Sequence, residues 1–373
     1  MATPSTDSTG PDSIGADSIG PDPIGSDSIG SGQGPAFDVL LSGTVFLDII
    51  FTGLAHQPAA GTEVWSTGLG SSPGGIANLA VALSRLQLRT ALAAAFGEDL
   101  YGDFCWEVLA NQENVDLSCS RRFYGWHSPL TVSMAVDRDR SMVTHGHPSP
   151  VGSDELLSPP PRTRAAYVHV DLQEERWVGA VKEQGALLFA DVGWDPTEQW
   201  APSMLRKLDG YDVFLPNSVE AMRYTREDTP ERAAHKLAEV VPVVVVTRGG
   251  SGAYAVDSAH GVTCDVGGLN MAALDPTGAG DVFGAGFVFG TLAGWPLADR
   301  VNFANLCAAL SVQHFGGSLS APGWHDIASW WRHLGRRDAD ELHPYEFLNN
   351  VLPTDPAAMV RRASPTIGLR GLS

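Results

Sequence analysis

The run VVPVVVVTRGG at residues 240–250 constrains the fold more than any other stretch of this chain. Consecutive valines with no polar alternation read as a strand buried on both faces. A parallel sheet covered by helices buries a strand in that way. Further strand-like runs are FDVLLSGTVFLDIIF from Phe37, broken at Gly43, then Thr90 to Phe96, AAYVHVD, ALLFADV and DVFLPN. Helical stretches fall between them: Ile76 to Leu86, EERWVGAVKEQG and PERAAHKLAEV. Strands alternating with helices predict an α/β fold, a mostly parallel central sheet with helices on both faces.

Two stretches break the alternation. Residues 61–73 (GTEVWSTGLGSSP) and 127–144 (HSPLTVSMAVDRDRSMVT) read as short antiparallel strands, with DRDR at 137–140 as a hairpin tip. They are expected to form a small sheet outside the main layer, within about 57–73 and 123–147, serving as a lid over a cleft. The first 35 residues repeat a D-S-x-G-like unit every five residues and hold five Asp but no Lys or Arg. Such a segment buries too little apolar surface to offset ordering, so residues 1–35 are expected to be a disordered acidic arm. The main domain then spans 36–335. Residues 336–373 are polar and proline-containing and are expected to be a loosely packed, partly disordered extension.

A net charge of −19 repels a phosphate polymer, which argues against nucleic acid as a partner. Cys105, Cys119, Cys264 and Cys307 are widely spaced with no CxxC pair, so reduced thiols and a cytoplasmic location are expected. No signal-peptide pattern or bilayer-length apolar run is visible, and no membrane partner is expected.

The stretch DPTGAGDVFGAGF, residues 275–287, carries the chemistry. Gly278, Ala279 and Gly280 precede an apolar helix, and the free N–H groups of a helix start attract an anion. Asp281 would repel that anion, so its presence suits a general base that accepts a proton from an attacking hydroxyl. The plain alternative is an acid stabilised by the helix dipole. A P-loop is excluded because no Lys follows the glycines. A dinucleotide fingerprint fits poorly, since the turn comes late and contains an acid.

In order along the chain, these motifs resemble the ribokinase-like, or PfkB-type, carbohydrate kinases. Asp275-Pro-Thr-Gly-Ala-Gly-Asp281 is similar to that family's C-terminal signature, with Pro276 in place of the usual Thr. Gly74-Gly75-Ile-Ala-Asn78, with Phe96-Gly97-Glu-Asp99-x-x-Gly102, is similar to its N-terminal signature. Thr247-Arg-Gly249-Gly-Ser-Gly252 and Asn217-Ser-Val-Glu220 match two further motifs. The resemblance covers about residues 36–335 and implies a ribokinase-like three-layer sandwich with a small β lid.

The resemblance also implies the following roles. Asp281 is the base, and the backbone of Gly278, Ala279 and Gly280 forms an anion hole. Asp48, Gly74, Gly75 and Asn78 bind acceptor hydroxyls. Asn217 and Glu220 organise Mg2+ and phosphate, the metal through water. Thr247, Gly249 and Gly252 line the nucleotide, and Asn305, with Ala308, faces adenine. Asp275 and Thr277, with carbonyls of loop 314–322, hold K+, as in several relatives. ATP is the phosphate donor, the acceptor is a sugar or a nucleoside, and a homodimer through the lid is open to the chain, as in some relatives.

Plainer readings stand beside these. NSVE is also a capped helix start, Asp48 a strand-end turn residue, Asn78 a helix-start cap and Asn305 a core residue. Trp65, Phe123, Trp126 and His127 fall in or beside the lid, where they either stack on a ligand or form lid core. A sugar-binding regulator without catalysis is the reading from another class.

Overall fold

The computed structural model describes residues 34–136, 139–170, 175–193, 195, 197–334, 343–355 and 363. Its strands are β1 (Phe37–Ser42), β2 (Val45–Thr52), β3 (Gly68–Gly75), β4 (Thr90–Ala93), β5 (Ala95–Gly97), β6 (Arg121–Phe123), β7 (Leu130–Val136), β8 (Asp139–His145), β9 (Thr163–His169), β10 (Leu187–Asp191), β11 (Val213–Phe214), β12 (Val243–Thr247), β13 (Ala253–Asp257) and β14 (Val262–Val266). The helices are α1 (Ile76–Arg85), α2 (Leu100–Glu107), α3 (Ser153–Leu156), α4 (Arg176–Glu183), α5 (Ser218–Thr225), α6 (Pro230–Leu237), α7 (Ala279–Leu292), α8 (Leu297–Ser311) and α9 (Trp324–Leu334).

The valine run forms β12 inside an eight-stranded sheet of order β14-β13-β12-β11-β10-β9-β1-β4. All neighbours are parallel up to β12, and β13 is antiparallel to both of its neighbours. Val245 packs into a core that includes residues of α1, α7 and α8, whereas Val244 and Val246 pack into one built with α4, α5 and α6. Alternation along one strand thus divides its side chains between two cores, which is why no polar residue is tolerated there.

The lid is a separate four-stranded sheet of order β3-β2-β7-β8. Its central strand β2 comes from the second half of the FDVLLSGTVFLDIIF run, not from a continuation of β1. The break at Gly43 lets the chain turn out of the main sheet. β1 is buried along its centre, whereas β2 mixes buried with half-buried positions, as a strand with one covered face requires. The two expected lid segments therefore do not pair with each other; β2 lies between β3 and β7, antiparallel to the first and parallel to the second. Residues 61–67 form no strand, and β3 starts at Gly68. β7 and β8 pair antiparallel up to Val136 opposite Asp139, with residues 137 and 138 of the tip outside the described residues. The Thr90–Phe96 run also splits: β4 edges the main sheet, and β5 pairs with β6 in a two-stranded sheet.

Arg85, at the end of α1, makes a buried bidentate pair with Glu113 at 2.8 and 2.7 Å. Its remaining nitrogen donates to the carbonyls of Leu319 and Ala321 at 3.0 and 2.6 Å. The backbone N–H of Ala363 donates to Glu113 at 2.8 Å. In the C-terminal extension, residues 343–350 form a 3-10 segment that buries Tyr345 and Leu348, so this part is packed rather than loose. The acidic arm falls outside the described residues up to 33. No helix among the described residues is long and apolar enough to cross a membrane.

Candidate active site

The parallel strands of the main sheet bring their carboxyl ends to one edge, the edge where ligands bind in open α/β sheets. Ser42, Ala93, His169, Asp191 and Thr247 all stand at strand ends there, and Asn217 follows β11. Between this edge and the lid lies a cavity of about 620 Å³ lined by Ser42, Gly43, Thr44, Phe46, Gly75, Ile76, Ala93 to Ala95, Trp126, His147 and Asp281, among others.

Two adjacent glycines shape the lid side of this cavity. A Cβ on Gly74 would fall 1.9 Å from Oδ2 of Asp48, so Gly74 makes room for that carboxylate. Gly75 has φ 64° and caps α1; a Cβ there would sit 2.4 Å from the Thr44 carbonyl oxygen. Only glycine turns the chain from β3 into α1 without strain. Asp48 does not line the cavity itself, but it abuts Gly74 beside the lining residue Gly75.

The other wall is the start of α7. Oδ1 of Asp275 accepts from the N–H and the hydroxyl of Thr277 at 2.9 and 2.5 Å, closing a turn ahead of the helix. Gly278 follows in the left-handed region, φ 76°, as the N-cap. The Ala279 N–H donates to Pro276 O at 3.2 Å, so within the expected anion hole this amide is already engaged. Asp281 sits in the first turn of α7, half-buried, and accepts a hydrogen bond from Nδ2 of Asn78 at 3.0 Å. Burial pushes its carboxyl up to about 6, partly offset by the Asn78 bond. Asn78 is buried, and its Oδ1 has no hydrogen-bond partner among the described residues; nor has the buried Ser72 hydroxyl. Both atoms lie close to Gly317, in the 314–322 loop that Arg85 anchors.

Asp191, at the end of β10, is a half-buried carboxylate that the motif reading passed over. It accepts from the Tyr167 hydroxyl at 3.3 Å and from the Val192 N–H at 2.8 Å. Burial holds it well above the usual carboxylate range, and the charges of Glu220 and Asp281 raise it further. An isolated Asp after an apolar run looks like any strand end. Glu220 and Asn217 form a complete capping box: Glu220 accepts from the Asn217 N–H at 2.9 Å, and Asn217 accepts from the Glu220 N–H at 3.0 Å. The plain helix-cap reading of NSVE is therefore realised, and burial also raises Glu220.

Thr247 bridges to Asn217 across the β12–β11 boundary. The turn that follows folds tightly: Gly249 and Gly252 have φ 56° and 90°, and a Cβ on Gly252 would meet the Val266 carbonyl at 2.0 Å. Gly267 and Gly268, packed beside this turn, line a second cavity of about 1060 Å³ with Asn302, Gln313 and Tyr345. Asn302 rather than Asn305 faces that cavity. Asn305 is buried and holds the Gly267 carbonyl at 3.4 Å. Of the four lid residues singled out in the sequence, Trp126 lines the first cavity, whereas Trp65 is 83% exposed. All four cysteines are free thiols.

Comparison with known proteins agrees with this arrangement. The pfkB family carbohydrate kinase profile matches residues 43–324, well over half of the chain. A 5-dehydro-2-deoxygluconokinase from Geobacillus thermodenitrificans is 22% identical over 329 residues, covering 80% of this chain and 94% of that protein. A nucleoside kinase from Methanothermobacter thermautotrophicus is 27% identical over 261 residues, covering 67% and 81%. The structure of Arabidopsis thaliana ribokinase complexed with ribose and ATP superposes with a TM-score of 0.66 at 22% identity, covering 80% of this chain and 98% of that one. The eight-stranded sheet, the separate lid and the matched residues together place the chain in the pfkB family of carbohydrate kinases.

Proposed function

We propose that this chain transfers the γ-phosphate of ATP to a hydroxyl of a sugar, with Asp281 as general base. The observation that carries the reading is the position of Asp281. It lines a cavity between sheet edge and lid, at a helix start, with its carboxyl raised to about 6. At neutral pH such a group is about nine-tenths ionised, and it is a stronger base than an ordinary carboxylate. The Asn78 amide fixes the carboxylate, leaving Asp281 Oδ1 to take the proton of an acceptor hydroxyl. The orphaned Asn78 Oδ1 supports a role in accepting a hydroxyl hydrogen bond, and Asp48, beside Gly74, supports the same for a second hydroxyl. In this reading the acceptor oxygen attacks the γ-phosphorus, the bond to the bridging oxygen breaks, and the proton stays on Asp281. Gly278, Ala279 and Gly280 receive the developing charge; the Ala279 N–H leaves Pro276 O to do so.

The donor set fits Mg2+: Asp191 and Glu220, with Asn217 beside them, would offer oxygen atoms to the metal or its waters, and a cation there would relieve the raised carboxyls. Bound there, Mg2+ would neutralise phosphate charge. Thr247, Gly249 and Gly252 would cradle the nucleotide, with Asn302 replacing Asn305 toward the base. A K+ ion near Asp275, Thr277 and the 314–322 loop belongs to the same reading, as does a homodimer through the lid, whose strand β8 exposes Met142 and Val143. A cytoplasmic location suits the free thiols. A nucleoside acceptor is the second reading, favoured by the likeness to a nucleoside kinase and by Trp126 on the cavity wall. The test is ADP release from MgATP across pentoses, hexoses, keto-sugar acids and nucleosides. Turnover with a sugar supports the first reading and turnover with a nucleoside the second. Binding without turnover, for every acceptor, refutes both.

A further inference from the structure

Three imidazoles meet on the lid: His127, His145 and His147. Their ring centroids lie 4.8 to 5.2 Å apart, and their ligating nitrogens all fall within 4.8 Å of one another. Phosphotransfer as described above uses none of them. We propose that these three histidines form a binding site for one divalent transition-metal ion of the zinc class, in the wall of the acceptor cavity.

Two segments carry the site, and both are held in place. His127 precedes Ser128, whose N–H donates to Asp99 at 2.8 Å and whose hydroxyl accepts from the Gly97 N–H at 2.9 Å. Asp99 is itself fixed by capping α2 through the Gly102 N–H. His145 ends β8 and pairs in register with Leu130 of β7. His147 lies two residues on, and the Trp126 indole N–H donates to Pro148 O at 3.1 Å, clamping the two segments together. Nδ1 of His127 faces the Ser128 carbonyl at 3.4 Å, a contact of the kind that orients a ligating imidazole through its other nitrogen.

The donor chemistry selects the ion. Neutral imidazoles suit Zn2+, Ni2+ or Cu2+, whereas Mg2+ requires oxygen ligands and is not held here. Around a tetrahedral zinc the nitrogens would stand about 3.3 Å apart. His145 and His147 are exposed and His127 half-buried, so a small change of side-chain torsion closes the remaining gap. Three ligands leave a coordination position for water or an oxygen of a ligand. Because His147 and Trp126 line the cavity, an ion here would join strand β8 to the 126–129 loop and stiffen that wall.

The test titrates Co2+, then competing Zn2+, into the untagged, metal-stripped full chain. Expected are one ion bound per chain, the intense visible bands of a four-coordinate nitrogen-rich site, their loss on adding Zn2+ but not Mg2+, and a higher Tm with metal. Removing an outer-shell partner alone typically lowers metal affinity about 10- to 100-fold, so His145→Ala and His147→Ala should lower it further. Both residues are exposed, and unchanged circular dichroism and metal-free Tm verify the fold; His147→Gln serves as a second variant of similar size. Absence of stoichiometric binding by the native chain would overturn the proposal. So would unchanged affinity in both alanine variants, which would place the ion on other histidines.

Discussion

Ionising Asp281 works against the fold. A carboxyl whose folded value is raised from 3.8 to about 6 binds its proton more tightly in the folded state than in the unfolded one. Its contribution to stability is fully present below about pH 4 and is lost as pH rises through about 6. At neutral pH the charge therefore costs on the order of 1–3 kcal/mol. Asp281→Asn should raise Tm by a few degrees at pH 7.5, measurable by calorimetry, because the amide keeps the bond from Asn78 and carries no charge. The same raised value sets the pH profile: kcat should rise through pH 6 and level off above it. A profile flat from pH 5 to 8 would remove Asp281 as the base. Gly74 and Gly75 separate binding from folding. Gly74→Ala meets only the end of the Asp48 side chain, which can swing aside, so Tm should hold while acceptor KM rises at least about tenfold, roughly 1.4 kcal/mol. Gly75→Ala meets the fixed Thr44 carbonyl at positive φ and should cost about 1–3 kcal/mol of stability in a denaturant titration.

At the scale of elements, α1 is the hub: its first residues reach Asp281 and its last grips Glu113 and the 317–321 turn. Arg85→Ala strands the Glu113 carboxylate in the core and should destabilise by about 3–5 kcal/mol in urea unfolding. The same elements explain what the sequence disclosed. α1, β9, β10 and β12 were legible because their burial, on one stripe or two faces, writes itself into the spacing of apolar residues. β2 was not, because Val45 to Thr52 is as apolar as a core strand, and only its long-range pairing with β3 and β7 assigns it to the lid. Asp281, Asn78 and the glycines were legible because few structures need so many glycines beside an acid. Asp191 was not, since Tyr167 and Glu220 beside it are distant in sequence; of the three lid histidines only His127 stood out, because the pairing of β7 with β8 is what brings His145 and His147 to it.

Across the whole molecule, several carboxyls shift in ways that shape acid behaviour. Asp191 and Glu220 share the upward shift of Asp281, chiefly through burial. Asp38 is shifted down: burial opposes this, but its bonds with Arg89 outweigh it. The raised groups lose stability as pH climbs, and Asp38 loses it as pH falls below the ordinary carboxylate range. Tm should therefore be higher at pH 6 than at pH 8 and should fall again below about pH 4. All of this rests on a cavity where one helix start faces the lid with a carboxylate between them. The most direct test compares kcat and ATP affinity of the native chain and Asp281→Asn, using whichever acceptor the panel identifies. The account predicts that ATP binds both proteins equally and that kcat drops about a hundred- to ten-thousandfold in the variant. Near-native kcat in Asp281→Asn would contradict it.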